Sequence, residues 1–235
     1  AQTMINVNRV LPGQRILMVG SGNVGLIVSY QLMQAGADVV ALVEAAPNIG
    51  GYGVHAGKIR RAGVPFYIGH TIKAVTGDGQ VEHVEIVAVD SKFQHIPGTE
   101  KSFDVDTVCL AVGLNPMTEL LWMIGCEFCF IPAFGGHVPL HDSNMETTVP
   151  GLYVAGDVTG VEEASSAMEE GNLAGVSAAE ALGLLSKEEA QEKKAEILAR
   201  LETLRSGLFG EKRRTAKTSQ LQSMSDYQAR KGGTL

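Results

Sequence analysis

The sequence has 235 residues, 45% of them hydrophobic, so it can bury a core without a disulfide or metal and is too apolar to be disordered. Its 26 acidic and 19 basic side chains give a net charge of −7, which excludes a nucleic-acid footprint across the whole protein. Three cysteines are too few for a disulfide framework and favour a reducing, cytoplasmic location, and we expect neither a signal peptide nor a membrane span.

The first predicted elements are a strand, a glycine turn, a helix and a second strand. The apolar run Arg15–Val19 has β character, and Gly-Ser-Gly-Asn-Val-Gly at residues 20–25 is a G-x-G-x-x-G motif. An amphipathic helix follows, and Gly36 predicts its end. A second apolar strand then closes with Glu44, at the distance of about 20 residues that is typical of a dinucleotide-binding fingerprint. The expected buried face of the helix carries Val24, Ile27, Val28, Leu32 and Ala35.

Each residue type in this motif has a physical role in a dinucleotide site. Gly20 permits a tight turn, Gly22 lets backbone N–H groups approach a pyrophosphate, and Gly25 lets the helix pack closely on the strand. The helix N-terminus then stabilises the diphosphate charge. Glu44 can bind an adenosine ribose and would repel a 2′-phosphate, and no Arg or Lys follows it before Lys58, which favours NAD(H) over NADP(H). The predicted NAD(H) site consists of Gly20, Ser21, Gly22, Asn23, Val24, Gly25 and Glu44.

The next segment continues the α/β pattern and then changes to antiparallel strands. Residues 54–62 predict a crossover helix, and residues 65–68 predict a third short strand. Apolar alternation across 81–89, after a Thr-Gly-Asp-Gly hairpin turn at 76–79, predicts an antiparallel meander. Residues 107–112 predict a further buried strand. The fold class is therefore α/β, a Rossmann-type parallel sheet with an inserted antiparallel meander.

A second strand-to-helix junction lies further along the chain. Residues 151–155 predict a strand that runs into Gly156 and Asp157, and residues 162–182 predict a long helix with small residues at three- and four-residue steps. Asp157 would then lie at the carboxyl end of a strand, where open α/β sheets bind ligands, and its carboxylate can hold a sugar hydroxyl. This junction predicts a second nucleotide half-site.

The order of these motifs resembles the two-dinucleotide flavin oxidoreductases of the pyridine nucleotide–disulfide type. After the glycine motif, the acid and the meander come Ala-Val-Gly-Leu-Asn-Pro at 111–116 and Leu-Tyr-Val-Ala-Gly-Asp at 152–157. Residues 136–140 and 160–171 narrow the resemblance to the FAD-linked subunits of bacterial heteromeric amine and amino-acid dehydrogenases, the group of sarcosine oxidase alpha, hydrogen cyanide synthase and opine oxidase. The resemblance covers residues 1–183.

The resemblance implies FAD and NAD(H) as cofactors that are bound by different parts of the chain. Gly156 and Asp157 would contact the ribityl and phosphate region of FAD, and Glu163 and Ala164 would lie near the flavin pyrimidine edge. Gly113 would lie beneath the nicotinamide half of NAD(H). In that family a further glycine motif, which binds the FAD diphosphate, precedes the NAD domain. We therefore expect this chain to carry only the C-terminal half of an FAD domain, completed by the rest of the protein or by a partner subunit.

Four regions follow from this interpretation. They are a connecting segment at 1–13, an NAD-binding Rossmann domain at 14–115, the C-terminal half of an FAD-binding domain at 116–185 and a helical basic tail at 186–235. The implied function is oxidoreduction by hydride or electron transfer, in amine or amino-acid oxidation within an oligomeric complex. Two alternatives stay open: a thioredoxin-reductase-like NADH-dependent flavin reductase, and a non-catalytic nucleotide-binding subunit. The sequence singles out no general acid or base, so no catalytic residue is assigned.

Two further motifs are expected to be structural. Cys126 and Cys129 form a C-x-x-C within residues 120–131, a run with β character. On a strand these positions point to opposite faces about 10 Å apart, beyond the reach of a disulfide, so we expect two structural thiols. His137 and His141 have a metal-like spacing, but the proline between them argues against one helical face, and we expect no metal site.

The C-terminal region differs in charge from the rest of the chain. Residues 187–235 carry 11 basic and 7 acidic side chains, whereas the first 186 residues carry 8 basic and 19 acidic ones. The basic tail is either a solvated helix or an interaction arm. Ser186 and Glu189 form a capping box that predicts a helix start, and residues 217–235 are expected to be mobile. The helix should dock on apolar surface, supplied partly by the missing domain or a partner, through the stripe Ile197, Leu201, Leu204 and Leu208.

Overall fold

The structure is a computed structural model that describes residues 1–232, except for the side chains of Leu208 and Phe209. The chain forms two compact units, which meet in sequence between Val112 and Gly113. In chain order the elements of the first unit are α1 (Gln2–Asn6), β1 (Arg15–Val19), α2 (Asn23–Gln34), β2 (Asp38–Glu44), α3 (Gly53–Arg61), β3 (Phe66–Ile68), β4 (His70–Thr76), β5 (His83–Ala88), β6 (Lys101–Asp104) and β7 (Thr107–Leu110).

The first unit is built on a parallel sheet with the strand order β3-β2-β1-β7. Its two faces are covered by different elements. Ile16 of β1 joins a buried cluster with Leu26 of α2, whereas the next residue, Leu17, joins a separate cluster with Val84 and Ile86 of β5. Burial on both faces explains why the parallel strands have nearly continuous apolar runs.

Strands β4, β5 and β6 form the predicted antiparallel meander, in that order. The α/β class with an inserted meander is therefore confirmed. The strand predicted as buried over 107–112 is shorter and more open than expected, since β7 ends at Leu110, which is 67% exposed. Strand β7 is exposed because it lies at the edge of the sheet of this unit, with β1 as its neighbour on one side.

The second unit contains a two-stranded antiparallel ribbon and four helices among the described residues. In chain order its elements are α4 (Glu119–Ile124), β8 (Phe128–Ile131), a 3-10 turn (Pro132–Phe134), β9 (Gly136–Pro139), a second 3-10 turn (Gly156–Thr159), α5 (Ala164–Ala181), α6 (Lys187–Leu204) and α7 (Gly207–Gly232).

Two strand predictions in this unit were wrong. The apolar run 120–131 begins as helix α4, which ends at Gly125 in the left-handed conformation with φ of +85°, and only β8 is a strand. A short apolar run does not distinguish helix from strand, which explains the error. The predicted strand 151–155 forms a single β-bridge, between Glu146 and Tyr153, in the part of the chain that the structure describes.

The predicted helix start at Ser186 is confirmed. The hydroxyl of Ser186 accepts the Glu189 N–H, and the Glu189 carboxylate accepts the Ser186 N–H, so both bonds of the capping box form. Helix α6 packs on α5 of its own unit through Ile197 and Leu201, which share a buried cluster with Leu173.

The remaining expectations for the C-terminal region were partly wrong. Leu204 is 42% exposed, so the apolar stripe is only half buried, and the side chain of Leu208 lies outside the described residues. The expected mobility of 217–235 is wrong for 217–232, because α7 continues to Gly232, and the last three residues lie outside the description. The buried positions on this part of α7 recur at helical spacing and are Lys217, Gln220 and Met224. Because two of the three are polar, the sequence shows no apolar periodicity here.

Candidate dinucleotide sites

The predicted glycine motif, residues 20–25, covers the turn after β1 and the first turn of α2, and it is named here the glycine loop. Gly20 has a φ of +103°, and a Cβ on it would overlap the carbonyl oxygen of Ala111. A Cβ on Gly25 would overlap the carbonyl oxygen of Gly20. Both positions therefore need glycine for the packing of the loop itself. A Cβ on Gly22 would have no atom within 4 Å, so the loop is open at this residue.

Helix α2 begins next to the open position. Gly22 is its N-cap, without a side-chain capping bond, and the first turn contains no acidic residue. Val24, in that first turn, is 47% exposed. An anionic group at Gly22 would therefore meet N–H groups that lack a helical partner, at the positive end of the helix dipole.

Glu44 ends β2, as predicted, and its carboxylate holds the glycine loop. Oε2 accepts hydrogen bonds from the Ser21 backbone N–H at 2.8 Å and from Ser21 Oγ at 2.6 Å, and Oε1 accepts the Ala46 N–H at 2.8 Å. Burial raises the pKa of Glu44, but these hydrogen bonds outweigh it and hold the pKa below its usual value. An ionised carboxylate only accepts hydrogen bonds, so a ligand hydroxyl at Glu44 would act as the donor.

The loop after β2 packs beside the glycine loop, an arrangement that the sequence reading missed. Gly50 N–H donates to Ser21 Oγ at 2.9 Å, and Gly51 N–H donates to the Ser21 carbonyl at 2.8 Å. Tyr52 N–H donates to Asn23 Oδ1 at 2.8 Å. The side chains of Ser21 and Asn23 are therefore used within the site's own framework. The two adjacent glycines after the acid were the available signal for this close approach.

The residues predicted to bind FAD surround the 3-10 turn Gly156–Thr159. Gly156 has a φ of +76°, and Asp157 is exposed, with no hydrogen bond or ion pair of its carboxylate to residues 1–232. Glu163 is the N-cap of α5, and Ala164 is its first residue. Gly113, predicted to lie under the nicotinamide, is the first residue of the second unit and has a φ of +139° with open space at its Cβ.

A buried glutamate that the sequence reading did not single out holds this turn. Glu170 lies on α5, and its Oε2 accepts the Gly156 N–H at 2.9 Å and Thr159 Oγ1 at 2.7 Å. Its Oε1 lies 2.5 Å from Arg205 Nη2 and 2.9 Å from Lys217 Nζ. The signal for it was an acidic residue within the run of small residues on the predicted helix.

Four side chains form what we name the charge cluster: Glu162, Glu170, Arg205 and Lys217. Arg205 pairs with both carboxylate oxygens of Glu162, at 3.0 and 2.8 Å, and all four side chains are 10% exposed or less. Burial raises the pKa of Glu170, but Lys217, the Thr159 hydroxyl and Arg205 lower it to about 2. Two carboxylates and two cations balance in charge, which is the condition under which such groups can be buried.

Other basic side chains of α6 and α7 also pair with acidic residues of the second unit. This pairing explains the charge asymmetry of the sequence, because the basic C-terminal helices are matched within their own unit. The pairing favours a C-terminal region that packs on its own unit over an exposed interaction arm. One of the pairs involves Glu163, which was predicted to contact the flavin. The pairs are Lys194 with Glu180 at 2.6 Å, Arg200 with Glu169 at 3.0 Å and Arg213 with Glu163 at 3.3 Å.

The two cysteines of the C-x-x-C motif are free thiols. Cys126 belongs to a buried cluster with Leu121, whereas Cys129 packs on a different cluster with Phe134. Burial raises the pKa of Cys129, so its thiol stays protonated. Cys126 precedes β8, so the strand geometry that was expected to separate the two thiols does not apply, and their structural role stays a prediction.

The two histidines with metal-like spacing have different environments. His137 is exposed, whereas His141 is 1% exposed, and its Nδ1 lies 2.8 Å from the carbonyl oxygen of Asp142. Burial and the charge of Lys217 lower the pKa of His141 to about 4. Among residues 1–232 no group of three or more His, Cys, Asp or Glu side chains is arranged to hold a metal ion.

A parallel sheet with an open glycine loop at a helix N-terminus, and an acid on the next strand, defines a dinucleotide-binding α/β protein. The sequence profile described as pyridine nucleotide-disulphide oxidoreductase matches residues 3–171, and the chain belongs to this family. Proteins of this family are oxidoreductases that bind FAD and NAD(P). No helix among the described residues is both long and apolar enough to cross a membrane.

Three relatives illustrate the match. The chain is 31% identical to an NADH oxidase of Streptococcus pneumoniae over 61% of its own length and 28% of the relative. It is 27% identical to the hydrogen cyanide synthase subunit HcnB of Pseudomonas aeruginosa, over 92% of the chain and 50% of the relative. The solved thioredoxin reductase of T. acidophilum has a TM-score of 0.62 and 26% identity, over 72% of the chain and 53% of that protein. The chain thus spans about half the length, or less, of these proteins.

Proposed function

We propose that the chain forms the NAD(H)-binding part, and one half of the FAD-binding part, of a flavin-dependent oxidoreductase. The observation that carries this proposal is the open position at Gly22, at the N-terminus of α2, beside an ionised Glu44 on the neighbouring strand. The pyrophosphate of NAD(H) would bind at Gly22, and a hydroxyl of the adenosine ribose would donate to the carboxylate of Glu44.

The same geometry supports a preference for NAD(H) over NADP(H). A 2′-phosphate would face the Glu44 carboxylate without a cation to balance it. The first basic residues after Glu44 are engaged elsewhere in the first unit. Lys58 Nζ lies over the Tyr30 ring, 5.4 Å from its centroid, and the Arg60 guanidinium lies 5.0 Å from the centroid of Phe66.

The second unit offers fewer contacts to FAD. The exposed carboxylate of Asp157 fits a ribityl hydroxyl, and the start of α5 at Glu163 and Ala164 fits the pyrimidine edge of the ring. A bound flavin would supply the hydride-accepting chemistry. The chain contains one G-x-G-x-x-G motif, which the NAD(H) site uses, so the FAD diphosphate would bind to the rest of the FAD domain.

We further propose amine or amino-acid oxidation within a heteromeric complex as the setting. The relative HcnB is named as a subunit and matches 92% of the chain. The sequence singles out no general acid or base, so we assign no catalytic residue here. This chain's role would then be nucleotide binding and electron transfer, with the substrate oxidised elsewhere in the assembly.

Calorimetry and absorbance spectra of the purified chain test the proposal. We expect NADH or ADP-ribose to bind more tightly than NADPH, and we expect a colourless preparation or one with substoichiometric FAD. NADPH binding that is equal or tighter would refute the nucleotide preference. A yellow protein with one FAD per chain would refute the proposal that the chain carries only half of the FAD site.

The two alternative functions predict different results. A thioredoxin-reductase-like enzyme would show NADH-dependent thiol turnover that Cys126→Ser or Cys129→Ser abolishes. The structure argues against this alternative, because Cys129 is half-buried and burial raises the pKa of its thiol. A non-catalytic nucleotide-binding subunit would bind NADH but no flavin, even when the partner chain is present.

A further inference from the structure

The charge cluster connects the C-terminal helices to the turn of the proposed flavin half-site. From α5, the carboxylate of Glu170 accepts the N–H of Gly156 and the hydroxyl of Thr159, the two ends of the turn. From α7, Lys217 Nζ donates to the Thr159 carbonyl at 3.3 Å and lies 3.1 Å from Thr159 Oγ1. Both ends of the turn are therefore held by buried charged groups.

The residue after the turn is held as well. A Cβ on Gly160 would overlap the ring of Phe134, so Gly160 packs directly against this ring. Lys217 Nζ lies 5.1 Å from the centroid of the same ring. Lys217 of α7 therefore contacts the carboxylate of Glu170, the backbone of the turn at Thr159 and the ring of Phe134.

The charged groups make directional hydrogen bonds to the turn that apolar side chains could not make. A well-packed apolar set often stabilises a fold as well as a buried ion pair does, or better. Apolar side chains would provide no acceptor for the Gly156 N–H and no donor to the Thr159 carbonyl. Glu170 provides the acceptor, and Arg205 and Lys217 keep it ionised at this depth.

We infer that Lys217 and Arg205 are positioning residues, through which the C-terminal helices set the conformation of the 156–159 turn and so the affinity of the half-site for flavin. The flavin part of this inference rests on the proposed function. Lys217 acts through Glu170 and Thr159 and is itself only 7% exposed. The C-terminal helices are then part of the flavin site and not an accessory arm.

Four variants of the full chain test the inference. Lys217→Met removes one cation of the cluster. Glu170→Gln combined with Lys217→Met restores charge balance and keeps an amide oxygen that can accept the Gly156 N–H. Arg214→Met is the matched control, because Arg214 lies on the same helix and pairs with Glu202 and Glu211 at the surface. Leu201→Ala is the stability control, since it weakens the packing of α6 without touching the turn.

Amide exchange at Gly156 and titrations with FAD and with NADH are the measurements. We expect Lys217→Met to lower Gly156 protection and FAD affinity by ~10-fold or more, as for a hydrogen bond to a charged group, with NADH affinity unchanged. The double variant should recover most of both losses, and Arg214→Met should leave both unchanged. Leu201→Ala should lower the melting temperature about as much as Lys217→Met does, but it should leave FAD affinity unchanged.

The outcomes separate the inference from the proposed function. Unchanged Gly156 protection in Lys217→Met, or an equal loss of FAD affinity in Leu201→Ala, would overturn the positioning role while flavin binding stands. If the unaltered chain binds no FAD even at millimolar concentration, the half-site does not bind flavin on its own, and the flavin-affinity part of the inference fails. A lowered Gly156 protection would then still identify Lys217 as the residue that sets the turn.

Discussion

The hydroxyl of Ser21 lies 2.6 Å from Oε2 of Glu44, and the same carboxylate oxygen accepts the Ser21 backbone N–H. The acid at the end of β2 therefore shapes the glycine loop before any nucleotide is present. Since it also faces the proposed ribose position, its removal would affect both the loop and the ligand. Variants that separate charge from hydrogen bonding are needed to distinguish the two roles.

Glu44→Gln keeps the shape of the side chain and removes its charge. We expect it to retain most NADH affinity and to reduce the preference for NADH over NADPH, because the repulsion of a 2′-phosphate is lost. Glu44→Ala should also destabilise the first unit by ~1.5–3 kcal/mol, since it leaves the Ser21 N–H and hydroxyl unpaired. Calorimetric titration with both nucleotides, and chemical unfolding, measure these effects. An unchanged nucleotide ratio in Glu44→Gln would show that the charge does not select the nucleotide.

Two glycines of the same motif should behave differently when replaced by alanine. Gly25→Ala places a methyl group on the carbonyl oxygen of Gly20, so we expect a loss of stability above ~2 kcal/mol. Gly22 has a φ of −64° and open space at its Cβ, so Gly22→Ala should fold with a loss below ~1 kcal/mol. NADH affinity should nevertheless fall, because the methyl group occupies the space for the pyrophosphate. A Gly22→Ala variant with unaltered NADH affinity would exclude this residue from the site.

The backbone framework of the first candidate site could be predicted from the sequence because the strand, glycine turn and helix follow directly from the local pattern. Strand β1, the glycine loop and Glu44 all lie within residues 15–44, and Glu44 contacts the loop through Ser21. The expected helix face was less accurate, since Val24 and Ile27 are exposed. The charge cluster could not be predicted, because Glu170 and Lys217 are 47 positions apart and each resembles an ordinary surface charge in the sequence.

Acid should destabilise the second unit in two pH ranges. The pKa of His141 is lowered from 6.5 to about 4 by burial and Lys217, so between those values the unfolded state takes up a proton that the folded state refuses. The pKa of Glu170 is lowered from 4.5 to about 2, so its stabilisation is present above 4.5 and is lost as the pH falls toward 2. Each group accounts for at most a few kcal/mol, since one pKa unit is about 1.4 kcal/mol.

Unfolding followed across pH 7 to 4 tests the histidine contribution. His141→Asn keeps a donor for the Asp142 carbonyl and removes the titrating ring. Its free energy of unfolding should change less between pH 6.5 and 4 than that of the unaltered chain. His137→Asn, at an exposed position of the same unit, is the control and should retain the full slope. Equal slopes in all three proteins would contradict the assignment.

The last prediction concerns the half-buried stripe of α6. Leu201 is 3% exposed and packs with Met145 and Leu173. Leu201→Asp would bury a charge without a partner, so it should lower the free energy of unfolding by several kcal/mol. Amide protection along α6 should fall as well. Because the contacts of Leu201 lie within its own unit, we expect NADH binding and the oligomeric state to stay unchanged. Leu204→Asp is the matched control, since Leu204 is 42% exposed and should cost below ~0.5 kcal/mol. If Leu204→Asp weakens subunit association and Leu201→Asp does not, the exposed half of the stripe contacts a partner chain.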